Sequence, residues 1–192
     1  MYEFIEGEII ESSPAQLVIK AGSIAYLLHI SVNTYSRIGD AATGKFFLHQ
    51  VVREDAQILY GFADKEEREI FRLLISVSGV GANTARLILS SMNAGELKQA
   101  ILSGNVAALQ NIKGIGAKSA QRIIVDLRDK VGKVSETDEL FQSEGNTVKE
   151  EALSALVALG FPRKTVEKNL VKVMKSEGMS VEDVVKAALK MM

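Results

Sequence analysis

The pattern of apolar positions along the chain changes at about residue 64. Before this point, apolar residues occur in short runs rich in β-branched and aromatic side chains, and turn residues separate the runs. Such runs are typical of strands. They cover residues 4–10, 17–19, 24–32, 46–52 and 58–62. Five short strands within roughly 60 residues favour a small antiparallel barrel of the OB type.

From Asp64 onward, apolar residues recur at helical spacing. Ile70, Phe71 and Leu74 share one face of a helix that follows Asp64, and Glu67 stands three residues after Asp64 as its partner in a capping box. The next helical stretches are short, and glycine or asparagine residues separate them. This pattern predicts an all-α domain after the barrel.

The last third of the chain contains a polar segment and a second helical region. Residues 132–147 are acidic, bounded by glycine and poor in apolar residues, which predicts a flexible linker. Beyond it, three short helices are expected near residues 148–159, 163–176 and 180–191. The chain is therefore predicted to be an α+β multidomain protein. Its expected parts are residues 1–63, 64–131, 132–147 and 148–192.

Charge is distributed unevenly, although the whole chain has a net charge of only −1. Residues 1–64 carry four basic and eight acidic side chains, whereas residues 65–131 carry ten basic and six acidic ones. The middle region, with a net charge of +4, is the candidate surface for a polyanion such as DNA.

Composition excludes several kinds of site. The chain has no cysteine, which excludes a disulfide framework, a thiolate zinc site, an iron–sulfur cluster and a cysteine nucleophile. The two histidines, His29 and His49, have no nearby cluster of metal-binding residues in the sequence. We therefore expect neither a catalytic metal nor another cofactor. No apolar run reaches the roughly 20 residues of a membrane span, and the acidic N-terminus does not resemble a signal peptide, so we expect a cytoplasmic protein without membrane contact.

The strongest motif is a repeat in the basic region. Residues 79–89 read GVGANTARLIL and residues 114–124 read GIGAKSAQRII, an offset of 35 residues. Each copy follows an apolar segment and begins a new helix. This is the signature of a helix–hairpin–helix motif, and it occurs twice in the chain.

The motif has a direct physical reading as a phosphate-binding turn. Its two glycines allow a tight turn and a close approach of a ligand to the backbone, while Val80 or Ile115 anchors the turn in the core. Free N–H groups at the start of the next helix, together with the helix dipole, attract phosphate without reading base sequence. The predicted DNA-binding residues are Gly79, Val80, Gly81, Ala82, Asn83, Arg86, Lys113, Gly114, Ile115, Gly116, Ala117, Lys118, Ser119 and Arg122.

Two other glycine motifs fit this sequence less well. A dinucleotide-binding fingerprint needs a third glycine and a preceding strand, and a P-loop needs lysine directly after its last glycine, whereas Ala117 lies between Gly116 and Lys118. The chain is therefore expected to have no ATP site. The glycines could also be ordinary helix turns.

Two other function classes compete with a DNA-binding scaffold. A helix–hairpin–helix repair enzyme of the glycosylase or lyase type would need a lysine nucleophile or a catalytic carboxylate, for which Lys118 and Asp126 are the nearby candidates. A single-strand binder that uses the barrel would need a basic groove with stacking aromatics. The acidic barrel argues against that class.

Four sequence segments resemble the RuvA family of bacterial Holliday-junction-binding proteins. They are VVREDAQILYGF (51–62), SGVGANTA (78–85), KGIGAKSAQRIIVDL (113–127) and LVALGF (156–161). The resemblance covers essentially the whole chain. It implies an OB-fold barrel, a tandem helix–hairpin–helix domain and a C-terminal three-helix bundle like ubiquitin-associated domains.

The resemblance also implies a function and partners. It implies a non-catalytic homotetramer that holds a four-way DNA junction open and square-planar during recombination and DNA repair, and it allows an octamer on DNA. The hexameric RuvB ATPase would drive branch migration, and the RuvC resolvase would cut the junction. One departure is Ala117, since relatives often have two adjacent lysines where this chain has only Lys118.

Two more sets of residues acquire roles through the resemblance. Glu54 and Asp55, otherwise an ordinary polar turn, would form an acidic pin that repels phosphates at the junction centre. The RuvA C-terminal domain binds the motor, and several apolar residues here could form the contact or else the core of the bundle. These residues are Leu156, Leu159, Phe161, Leu170 and Leu189.

Overall fold

A computed structural model describes residues 2–142, 148–173 and 179–191, with the backbone alone over 132–142. The chain divides into two compact units, residues 1–134 and 135–192. The first contains both the barrel and the hairpins.

Five strands form a closed barrel, which confirms the predicted architecture. The strands are β1 (Phe4–Ser13), β2 (Gln16–Ala21), β3 (Ile24–His29), β4 (Thr43–Val52) and β5 (Gln57–Phe62). Their order around the barrel is β1-β2-β3-β5-β4. The β3–β5 pair is parallel and the other pairs are antiparallel. Alternate residues such as Leu17, Ile19 and Leu28 point inward and are fully buried.

A short helix, α1 (Val32–Ile38), lies where the sequence pattern predicted the end of a strand. The predicted strand over 24–32 ends at His29 because Ser31 caps the helix, its Oγ accepting the Thr34 N–H at 2.9 Å. The change from strand to helix was not predicted because the run of β-branched and aromatic residues continues across it.

The next helices follow as expected from Asp64 onward, and the last of them continues past residue 134. They are α2 (Lys65–Ile75), α3 (Ala82–Ser91), α4 (Ala94–Leu102), α5 (Val106–Gln110) and α6 (Ala117–Gln142). Asp64 caps α2 by accepting the Glu67 N–H at 2.7 Å. The Glu67 carboxylate does not complete the predicted capping box, because it accepts hydrogen bonds from the Ser31 and Thr34 hydroxyls instead.

The barrel has a core of its own, and the end of β5 belongs instead to the core of the helices. Tyr60 and Phe62, at the end of β5, pack in the same cluster as Phe71 of α2 and Ile88 of α3. A buried arginine strengthens this packing, since Arg68 pairs with Glu3 at 2.7 Å. The barrel therefore provides a rigid support for the first hairpin.

Helix α6 extends further than predicted. Residues 132–142, expected to be irregular linker, are helical. Gly132 is the only glycine among them and there is no proline, so little in the local sequence stops the helix. Residues 143–147 lie outside the described residues, and the division into four parts stays a prediction.

In the part of the chain that the structure describes, three further helices lie in the second unit beyond α6, as the sequence predicts. They are α7 (Val148–Ala158), α8 (Arg163–Val173) and α9 (Val181–Leu189). Their core consists of Ala152, Leu156, Val166, Leu170, Val184 and Ala188. Among the described residues, no helix is long and apolar enough to span a bilayer.

Candidate nucleic-acid interface

Two turns with matching geometry stand at the predicted hairpins, one between α2 and α3 and one between α5 and α6. The Val80 N–H donates to the Val77 carbonyl at 3.0 Å, and the Ile115 N–H donates to the Ile112 carbonyl at 3.0 Å. Gly79 and Gly114 both have φ of +90°, which L side chains rarely adopt. The sequence repeat is thus a structural repeat.

The apolar residue between the two glycines anchors each turn. Val80 and Ile115 are both buried, as are Val77 and Ile112 at the start of the turns. Their burial fixes the turn against the helical core and leaves the glycine backbone at the surface. The anchoring predicted for Val80 and Ile115 is confirmed, so their side chains are not available to DNA.

The second glycine of each turn has no structural reason within this chain. Gly81 has φ of −82°, a value that any residue adopts, and Gly116 is likewise outside the left-handed region. A Cβ atom at either position would meet nothing within 4 Å. A glycine that the fold itself does not require fits a surface where another molecule approaches the backbone closely.

The backbone beside these glycines offers free donors. The first helical hydrogen bonds run from Ala85 to Gly81 at 2.9 Å and from Ala120 to Gly116 at 3.0 Å. The N–H groups of residues 82–84 and 117–119 precede these bonds, and Gly81 has no side chain to cap them. Ala82 and Ala117 can therefore contribute to anion binding through the backbone.

The second residue of each helix differs between the hairpins. Asn83 in α3 occupies the position that Lys118 occupies in α6. Asn83 is exposed, and its Oδ1 accepts a hydrogen bond from the Tyr60 hydroxyl at 3.3 Å. Lys113 and Lys118 are exposed and Ser119 is half-buried, so all three lie at the second turn as predicted.

The two arginines of the predicted site have protein partners. Arg86 Nη1 donates to the Ala15 carbonyl at 2.9 Å and to the Ile30 carbonyl at 3.4 Å, so this side chain joins α3 to the barrel. Arg122 is exposed, and its Nε lies 3.7 Å from the Asp126 carboxylate one turn away. The structure therefore gives Arg86 a structural contact that the sequence did not reveal.

The acidic pair lies at the tip of the β4–β5 hairpin. The Arg53 N–H donates to the Ala56 carbonyl at 2.8 Å, which closes a two-residue loop formed by Glu54 and Asp55. Both side chains are exposed. Sequence reasoning placed this loop correctly, and its proposed role at a junction stays a prediction.

The predicted motor-binding residues differ in how deeply they are buried. Leu156 and Leu170 are fully buried in the three-helix core, so the expectation that they contact a partner through their side chains is corrected. Phe161 packs partly against the same core. Leu159 is 62% exposed and Leu189 is 40% exposed, which leaves these two available at the surface.

The shifted pKa values lie away from the hairpins, where the barrel meets the helices. Burial is the main cause that lowers the pKa of His29 and of His49, with smaller contributions from Arg86 and Arg72 respectively. Burial also raises the pKa of Glu67, against the opposite effect of the Ser31 and Thr34 hydrogen bonds.

The two candidate residues of the enzyme alternative, Lys118 and Asp126, do not form a catalytic centre with each other. Lys118 is exposed on the first turn of α6, and Asp126 is an exposed partner of Arg122. Across residues 2–131, 148–173 and 179–191, no group of three or more histidine or acidic side chains is arranged to hold a metal.

Three family models match consecutive parts of the chain. The RuvA N terminal domain matches residues 1–61, the SAM-like Helix-hairpin-helix tandem matches residues 71–129, and the RuvA, C-terminal domain matches residues 147–192. These matches follow the barrel, the paired hairpins and the three-helix unit.

Relatives of this chain align with it over nearly their whole length. The chain is 51% identical over 191 residues to a protein of Christiangramia forsetii, covering 99% of each chain. It is 50% identical over 197 residues to a protein of Parabacteroides distasonis and 42% identical over 200 residues to one of Cytophaga hutchinsonii, covering 100% of each chain. All three relatives are named Holliday junction branch migration complex subunit RuvA.

Proposed function

Because this chain belongs to the RuvA family, we propose that it binds four-way DNA junctions as a non-catalytic subunit of a branch migration complex in recombination and DNA repair. The observation that carries the proposal is the pair of matching turns, in which Gly81 and Gly116 leave open space beside free N–H groups. Such a surface accepts a phosphate and reads no base edge. Binding is therefore expected to be independent of sequence.

In this proposal, the barrel makes the protein prefer a four-way junction to continuous duplex DNA. Four chains would form a tetramer with four-fold symmetry, and the Glu54–Asp55 loops would gather at the centre, where the junction strands cross. Exposed carboxylates there repel phosphates and disfavour a continuous duplex. The hairpins of each chain would hold one arm by its backbone, which keeps the junction open and square-planar.

The C-terminal unit would recruit the motor. In this proposal, Leu159 and Leu189 contribute apolar contacts to a RuvB-type hexameric ATPase, and the buried residues of the bundle only support them. A RuvC-type resolvase would act on the junction that the tetramer presents. The repair-enzyme alternative is not favoured, since its two candidate residues, Lys118 and Asp126, are exposed and Asp126 is the partner of Arg122.

A competition experiment tests the proposal. The full chain would be titrated onto labelled four-way junctions of two unrelated sequences, with duplex and single-stranded DNA of equal length as competitors. We expect the two junctions to bind alike, and each to bind about tenfold or more tightly than duplex, which corresponds to ~1.4 kcal/mol. In a second arm, a relative's RuvB and ATP would be added and strand separation followed. Equal affinity for junction and duplex, or no stimulation of RuvB, would contradict the proposal.

A further inference from the structure

The two hairpins differ in charge at one matched position. Asn83 and Lys118 are each the second residue of the helix that follows the glycine turn. Lys118 is exposed, and it forms no ion pair within the described residues. The first hairpin thus has a neutral amide where the second has an ammonium group.

The amide of Asn83 is held in one orientation from inside the protein. The Tyr60 side chain is only 1% exposed, and its hydroxyl donates to Asn83 Oδ1 at 3.3 Å. A buried O–H donor left without an acceptor costs free energy, so the oxygen of the amide, not its NH2 group, turns toward Tyr60.

The tyrosine ring that carries this hydroxyl is itself fixed. Its centroid lies 5.0 Å from that of Phe71 and 5.8 Å from that of His29. Packing on both neighbours leaves the ring little freedom to turn, so the hydroxyl position is determined before any ligand arrives.

The free side of the amide then carries only donors. Within the described part of the chain, Asn83 Nδ2 has no hydrogen-bond partner, and Asn83 is exposed at the start of α3. Phosphate oxygens accept hydrogen bonds, and an amide oxygen facing them would repel them. The orientation set by Tyr60 is the one that suits a phosphate.

We propose that Tyr60 is a positioning residue for DNA binding: its hydroxyl presets the Asn83 amide so that the first hairpin meets phosphate with neutral donors, whereas the second hairpin uses the Lys118 ammonium group. The inference rests on the proposed function, which it deepens by making the two phosphate sites chemically unequal. The salt dependence of affinity distinguishes the two phosphate sites. Only a cationic side chain that neutralises a phosphate releases counterions from DNA and so contributes to that dependence.

The test measures junction affinity of the full chain at several salt concentrations for Tyr60→Phe, Asn83→Ala, the double variant and Lys118→Ala. We expect Tyr60→Phe and Asn83→Ala each to weaken binding by about threefold to tenfold, with an unchanged salt slope. The double variant is expected to match Asn83→Ala alone, since both changes remove the same coupled interaction. Lys118→Ala, the matched variant of the second hairpin, is expected to reduce the salt slope by about 0.9 for each phosphate that is no longer neutralised.

A further variant separates positioning from support of the fold. Asn83→Asp keeps the acceptor for Tyr60 but replaces the NH2 donors with a carboxylate oxygen, so we expect it to bind more weakly than Asn83→Ala. Unchanged affinity of Tyr60→Phe, or an additive loss in the double variant, would overturn the inference, since a structural role of Tyr60 would persist without Asn83. Equal affinity of the wild-type protein for duplex and for junctions would instead overturn the proposed junction preference. The effect of the same variants on binding to either DNA would still test the role of Tyr60.

Discussion

At the scale of single residues, the glycines of one turn have different physical tasks. Gly79 has φ of +90°, so the fold itself selects glycine there. Gly81 has an ordinary φ of −82° and open space beside it, so the fold does not select it. Under the proposed function, the approach of a DNA backbone is the reason for the second glycine, so mutations are expected to separate stability from DNA binding.

Gly81→Ser is expected to stabilise the protein slightly while weakening junction binding. A serine at this position accepts an N–H of the first turn of α3, which is worth a few tenths of a kcal/mol, roughly 0.3, relative to glycine. The same hydroxyl occupies the phosphate site, so we expect about tenfold weaker binding. Thermal unfolding and junction titration measure the two effects.

The neighbouring position provides the control. Gly79→Ser places a side chain in the left-handed region and is expected to lower the free energy of unfolding by about 1 kcal/mol or more. If Gly81→Ser bound junctions as tightly as the wild type, the first hairpin would not contact phosphate.

At the scale of elements, α1 joins the barrel to the hairpins. Ser31 and Thr34 donate to the buried Glu67 carboxylate of α2, with the Thr34 bond at 2.6 Å. Asn33 Nδ2 donates to the Leu89 carbonyl of α3 at 2.5 Å. The helix that the sequence did not predict thus contacts both helices that flank the first turn.

Glu67 makes this connection sensitive to pH. Burial raises its pKa above 4.5, so between 4.5 and that raised pKa the folded state holds a proton that the unfolded chain has released. The contribution of Glu67 to the free energy of unfolding therefore falls as pH rises through this window. We expect the stability of the wild type relative to Glu67→Gln to be greater at about pH 5 than at about pH 8.

Denaturant unfolding of both proteins at the two pH values measures this difference. Glu6→Gln, which removes a carboxyl from the exposed face of β1, is the matched control. A stability difference between wild type and Glu67→Gln that stayed constant with pH would show that the carboxyl is not perturbed by burial.

At the scale of the whole molecule, the proposed function assigns attraction and repulsion of DNA to different parts of the chain. Attraction is expected from the region with a net charge of +4, and repulsion from Glu54 and Asp55 at the far end of β5 from Tyr60. Since β5 carries the acidic loop at one end and Tyr60 near the other, one strand links this loop to the first hairpin.

Glu54→Gln combined with Asp55→Asn is expected to narrow the discrimination between junction and duplex. Removing the carboxylates raises affinity for duplex more than for junctions, and we expect the affinity ratio to fall by about threefold at low salt. The change is expected to shrink at higher salt, because exposed charges are screened over about 10 Å at 0.1 M. Competition binding at two salt concentrations measures it.

The control removes the same charge elsewhere on the barrel. Glu6→Gln combined with Glu8→Gln neutralises two exposed carboxylates of β1 and is expected to raise affinity for both DNAs alike. An equal ratio for the acidic-loop variant and the wild type at both salt concentrations would mean that Glu54 and Asp55 form only a solvated turn.

The sequence by itself determined the features that depend on local chemistry. The barrel strands follow from short apolar runs rich in β-branched and aromatic residues, and the three C-terminal helices follow from their spacing and breaks. The two turns follow from glycines repeated 35 residues apart, and the acidic loop follows from two polar residues between strands. Each strand, helix or turn is indicated by a few neighbouring residues, so it can be recognised in the sequence without knowledge of the fold.

Only the tertiary structure decided which side chains are free. Arg86, whose predicted contact with DNA stays a prediction, donates to the Ala15 carbonyl, 71 residues away in sequence. For Leu156 and Leu170 the sequence left open a partner contact or the core of the bundle, and the structure buries both in the core. The Glu67 carboxylate accepts hydrogen bonds from Ser31 and Thr34 instead of completing a capping box with Asp64. Hydrogen bonds and packing between segments distant in sequence determine these contacts. The local sequence around a side chain does not show which distant group lies beside it in the folded protein.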